Sequence, residues 1–285
     1  MEEKNNVFKM SLDFGEDEYD EAITYYSNII LESPEFPDAY LERAEIFTWK
    51  NEYDKALKDC NFVVEKYPGW SPSYYHRGIL FFRYGKYNNA IDDFNKMIEF
   101  GNKSNNAYEM LGKSYFYLDD YNKAIEALTE SIKLNPSSVI SYHWRGKTYR
   151  KLATYEFAIE DLTKAIVNGR IYTDAYYDRA VTYENVGKYK EAIDDYGNII
   201  NRFLNNEHVW AITIENNPNN LCYLYNHRGV IFHKYGDLFS AISDFTKSIN
   251  IDKKYNTAYI NRAISFYDNG EIENALDDFQ NKPRY

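Results

Sequence analysis

Arginine and aspartate recur in this chain at a fixed separation. Arg43, Arg77, Arg145, Arg179, Arg228 and Arg262 are each followed, sixteen residues later, by Asp59, Asp93, Asp161, Asp195, Asp244 and Asp278. Where Leu111 takes the arginine position, Ala127 takes that of the aspartate, so the two types appear and vanish together. A guanidinium fork suits a carboxylate partner, and the coupling predicts a repeated internal clasp; a run of ligand-binding arginines is the other reading. A basic cluster, His143, Lys147, Arg150 and Lys151, could meet an acidic group or a peptide backbone, or be a solvated face. The five histidines show no metal-ligand grouping, and His227 and His233, six residues apart, do not share a helix face. No phosphate loop, nucleophile elbow or zincin motif is present. Carboxylates recur with a period, whereas a catalytic pair should occur once. The expectation is a protein without catalytic activity, cofactor or metal.

The elements that must position these residues are themselves periodic. Ala44, Gly78, Gly112, Gly146 and Ala180 are 34 residues apart, as are Gly229 and Ala263. Ala22, Ala56, Ala90, Ala124, Ala158 and Ala192 keep the same step, and Ala241 to Ala275 repeats it. Both ladders share one interruption, fifteen residues long, before Gly229. Inside a unit, Tyr74, Gly78 and Phe81 form one apolar stripe, and Tyr87, Ala90, Ile91, Phe94, Met97 and Ile98 form the next. Offsets of three and four place each set on one helix face. Gly85 separates the stripes, and Pro68 and Pro136 stop the second helix of their units. Two helix axes approach closely only where neither side chain intervenes, so each unit is predicted to be a helical hairpin with one tight crossing.

These residues resemble the tetratricopeptide repeat family. Tyr108, Leu111-Gly112, Tyr115, Ala124, Leu128 and Pro136 match its pattern in order. Tyr142, Gly146, Tyr149, Ala158, Leu162 and Ala165 match again, with Arg145 in place of leucine and no closing proline. The resemblance spans roughly residues 17–282. It implies an all-α, right-handed superhelical solenoid of stacked antiparallel hairpins, with a concave groove that binds protein segments and is lined by each first helix. The residues here on that side are Tyr75, Ile79, Phe82, Lys113, Phe116, His143, Lys147, Arg150, Tyr177, Val181, Asn226 and Val230. Tyr75, Phe82 and Phe116 would be apolar anchors of the kind found at binding hot spots, although Phe82 and Phe116 could instead pack between hairpins. One subfamily grips the carboxylate tail of chaperones. The matching places hold Leu41, Glu45, His76, Asn106 and Met110, so that specificity is not expected.

Residues 1–36 read as a degenerate cap and one second helix from Tyr19 to about Leu31, followed by five repeats over 37–206. An insertion at 207–221 is read as a lengthened helix in preference to a loop, and residues 222–285 hold two more repeats, the last one short. Stacking makes the array continuous, each unit burying its face on its neighbours, and 30 tyrosines and 17 phenylalanines supply that burial. A net charge of −11 argues against a nucleic-acid partner. Cys60 falls on a core position, and Cys60 and Cys222 form no disulfide framework. Met1-Glu2-Glu3-Lys4-Asn5-Asn6 lacks the pattern of a signal peptide, and no stretch approaches the length of a membrane span. A cytoplasmic adaptor or scaffold with a protein or peptide partner is expected. The alternative is a structural subunit that self-associates through its C-terminal end and the insertion.

Overall fold

The computed structural model describes residues 16–169, 173–205 and 220–281. The described residues form fifteen α-helices and no strands. Two compact units divide the chain, the first ending at Leu134 and the second beginning at Asn135. In the first, α1 (Glu16–Glu32) precedes three hairpins: α2 and α3 (Pro37–Trp49, Tyr53–Lys66), α4 and α5 (Ser71–Arg83, Tyr87–Glu99), and α6 and α7 (Asn105–Tyr117, Tyr121–Leu134). The second holds α8 and α9 (Val139–Lys151, Tyr155–Asn168), α10 and α11 (Thr173–Asn185, Tyr189–Leu204), α12 and α13 (Asn220–Tyr235, Leu238–Ile251), and α14 and α15 (Asn256–Asp268, Ile272–Asn281). Residues 1–15 of the expected N-terminal cap region (1–36) and most of the 207–221 insertion lie outside the described residues.

The crossing inside each hairpin follows from its small residue. A Cβ on Gly78 would come within 2.7 Å of the Phe94 ring, and one on Gly112 within 2.6 Å of Leu128 Cγ. Gly146 faces Leu162 and Gly229 faces Phe245 with the same closeness, at 2.8 and 2.7 Å. Phe94, Leu128, Leu162 and Phe245 are fully buried in consequence, each contributing about 1.5–3 kcal/mol of apolar burial. Cys60 and Cys222 are buried free thiols. Burial, aided by Asp59, pushes the Cys60 thiol up to about 12, so it is an inert core side chain. No helix among the described residues is long and apolar enough to cross a membrane.

The hairpin turns supply a third 34-residue ladder that composition hides. Asn51, Gly85, Asp119, Ala153, Gly187, Gly236 and Gly270 all adopt positive φ. Gly85 sits where the Lys86 amide donates to the Phe81 carbonyl at 2.8 Å, closing the helix end with a six-to-one bond. Ala153 makes the same turn at φ 56°, where a Cβ crowds the backbone at a cost of about 1 kcal/mol. Ala153→Gly is therefore expected to stabilise the second unit by about 0.5–1 kcal/mol, read as a raised urea midpoint. A lowered midpoint would show that unfolded-chain entropy outweighs the relieved crowding.

Candidate functional site

The arginines point into their own hairpins. Arg77 Nε donates to Asp93 Oδ2 at 2.8 Å and Nη2 to Oδ1 at 2.7 Å. The same two-pronged contact joins Arg43 to Asp59, Arg145 to Asp161, Arg179 to Asp195, Arg228 to Asp244 and Arg262 to Asp278. Each guanidinium also lies beside two rings of its own first helix: for Arg77 these are Tyr74 and Phe81, both 5.8 Å from the ring centroid. Its remaining nitrogen reaches back to the preceding second helix, Nη1 donating to Asn61 Oδ1 at 2.9 Å. Burial alone would lower the Arg77 pKa, but the Asp93 bond and charge outweigh it and raise the value.

Part of the expected groove wall comes together in the first unit. Tyr75, Ile79 and Phe82 of α4 line a half-open cavity of about 340 Å³ with Trp49 of α2 and Met110 of α6. Glu45, His76 and Arg83 complete its wall. His76 Nδ1 lies 3.8 Å from a Glu45 oxygen, and burial keeps its pKa below the usual imidazole range despite Glu45 and Asp38. Arg83 lies over the Trp49 ring at 5.3 Å. The α2 edge is acidic. Burial, reinforced by Glu45 and Asp38, raises the Glu42 carboxyl, and burial with Glu42 pushes the Tyr26 hydroxyl up to about 12. On α6, Lys113 donates to Glu109 at 2.7 Å.

Three expected groove residues are interior. Phe116 is 7% exposed and packs on Tyr117 and Tyr121. His143, 1% exposed, places Nε2 2.7 Å from Asp178 Oδ2, and Arg150 Nη2 donates to the other Asp178 oxygen at 2.8 Å. Asn226 is buried between Asn261, whose Nδ2 donates to its Oδ1 at 3.0 Å, and the Tyr255 hydroxyl. The acidic group met by the basic cluster therefore belongs to the chain itself. Burial alone would raise the Asp178 carboxyl, but the His143 bond and charge, then Arg150 and Lys147, hold it down to about 2. Lys147 stands over Trp144, with Nζ 4.8 Å from the ring centroid. Tyr177 packs edge-on against Tyr196 and His227. Periodicity assigns a residue to a helix face but not to its neighbour on the next hairpin. His143–Asp178 and Asn226–Asn261 are both 35 residues apart, one more than the repeat, and that offset was the signal available.

Comparison with known proteins agrees with this architecture. Tetratricopeptide repeat models match residues 12–70 and 173–202, and a TPR repeat model matches residues 112–153. Among solved structures, the C-terminal part of a TPR repeat-containing protein from Cytophaga hutchinsonii is 17% identical, with a TM-score of 0.67, covering 85% of this chain and 93% of that one. The crystal structure of the APC/C hetero-tetramer Cut9–Hcn1 matches at 16% identity and a TM-score of 0.60 over 92% of this chain, which spans only 49% of that one. YrrB, described as a TPR protein with an unusual peptide-binding site, matches at 21% identity and a TM-score of 0.51, covering 64% and 93% of the two chains. Such identities establish likeness of fold alone. A search of curated proteins found no match.

Proposed function

Because the chain belongs to the tetratricopeptide repeat family, we propose that it is a non-catalytic adaptor holding a segment of a partner protein against the Tyr75–Phe82 face of α4. The observation that supports this most is the 340 Å³ cavity, whose wall carries Trp49, Tyr75, Ile79, Phe82 and Met110 beside Arg83. Aromatic, methionine and arginine side chains are the types enriched where protein surfaces meet. The peptide-binding description of YrrB belongs to that protein, but it is compatible with the same use of a shared fold. Tyr75, Ile79 and Phe82 would anchor an apolar side chain. Lys113 of α6 would contribute a polar contact from the next hairpin of the same unit.

Affinity capture from native lysate, followed by titration of the captured partner, tests this. Tyr75→Ala with Phe82→Ala is expected to weaken binding about 10-fold or more, while Phe239→Ala, at a residue 82% exposed on α13, leaves it unchanged. Circular dichroism must show each variant folded. A second reading, assembly of copies through the last hairpin, is favoured by Ile272, Leu276 and Phe279 of α15, which are 42–56% exposed. Unchanged binding by the double variant, with a concentration-dependent oligomer in light scattering, would replace the first reading with the second.

A further inference from the structure

Six hairpins place a guanidinium between two aromatic rings of the first helix, and the hairpin α6–α7 has the rings without the guanidinium. Tyr108 and Tyr115 occupy the two ring positions, but Leu111 and Ala127 replace the arginine and aspartate. A cavity of about 530 Å³ opens there, lined by Tyr108, Tyr115, Leu111, Ala127, Glu126 and Glu130, among others. A second cation is missing as well. Lys96, Lys164 and Lys247 stand over the rings of Tyr74, Tyr142 and Tyr225, and the equivalent position beside Tyr108 is Glu130. The hairpin has thus lost an arginine–aspartate pair, whose charges cancel, and carries Glu130 in place of a lysine, while keeping the two rings.

We propose that this cavity takes an arginine side chain from a basic segment of a partner protein. The six internal clasps show what such walls hold in this chain: a guanidinium beside two rings with a carboxylate at its fork. Ala127 removes the internal carboxylate, and the exposed Glu130 supplies negative charge at the rim beside Glu126, whose position is acidic in the neighbouring hairpins too. Asn95, one repeat step after the Asn61 that bonds Arg77, stands exposed at the matching place on α5. Lys123 lies over Tyr115 at 5.4 Å but is held by Asp120 at 2.8 Å. Its counterpart Lys55 shares the Phe47 ring with Arg43, so a lysine there does not exclude a guanidinium. The chain's net charge of −11 favours a basic partner at long range. Cation–π and charge-assisted contacts at a half-exposed site make a single arginine a weak anchor, with a dissociation constant on the order of 1 mM.

The full chain is titrated, with NMR detection, using the capped tripeptide Gly-Arg-Gly and its lysine and citrulline counterparts. The arginine peptide is expected to bind at least about fivefold more tightly than either counterpart and to shift the Tyr108 and Tyr115 resonances. Leu111→Arg with Ala127→Asp rebuilds the chain's own clasp. That variant should be at least as resistant to urea as the parent and should lose the arginine peptide. Glu126→Gln with Glu130→Gln should fold normally and bind severalfold more weakly. Equal affinity for the three peptides, or binding that survives the rebuilt clasp, overturns the proposal.

Discussion

Asp93→Ala is expected to destabilise the first unit by about 3–5 kcal/mol, more than the double change Arg77→Leu with Asp93→Ala. The reason is what the single change leaves behind. The Arg77 side chain is 15% exposed and that of Asp93 3%, so removing the carboxylate strands a cation between two rings with little water to solvate it. The Asn61 contact at 2.9 Å remains but carries no charge. Removing both partners removes the stranded charge, and the chain already contains the outcome: α6–α7 folds with Leu111 packed against the Ala127 helix. A double-mutant cycle by urea denaturation measures the difference. The coupling between the two sites should be about 2 kcal/mol or more, and a double variant that costs the plain sum of its singles would refute the clasp as a coupled pair.

The clasps were legible because both partners lie within one repeat, so their joint disappearance at Leu111 and Ala127 shows in a single chain. Helix phases, the small-residue crossings and the Gly85 turn were legible for the same reason: each is a local rule repeated. The turn residues Asn51, Asp119 and Ala153 were not, because backbone closure imposes positive φ on them without a glycine. Contacts between successive first helices were also hidden. Tyr75, Ile79 and Phe82 were placed on one face by their spacing, but Glu45, Trp49 and Met110, which close the cavity around them, come from helices on either side. Phe116, His143 and Asn226 share that face by spacing and are nevertheless interior: His143 and Asn226 meet Asp178 and Asn261 of the next hairpin, and Phe116 packs on Tyr117 and Tyr121. A helix wheel carries no information about that neighbour.

Asp178 is where that lateral contact carries the most charge, and Asp178→Ala is expected to cost the second unit about 3–5 kcal/mol. The clasps join the two helices of a hairpin; Asp178 instead joins α10 to α8, accepting from Arg150 and sharing a proton contact with His143 at 2.7 Å. Its carboxyl is held at about 2, below the ordinary 3.8. A folded-state value below the unfolded one means that the ionised form stabilises the fold. That stabilisation is complete above about pH 4 and is lost as pH falls toward 2, amounting to about 2–3 kcal/mol at neutrality. Asp178→Asn preserves the shape and removes the charge, so its cost should shrink as pH falls below 4. Urea unfolding at pH 7, 5, 4 and 3 reads this directly, and a cost unchanged at pH 3 would mean that the network acts through shape alone.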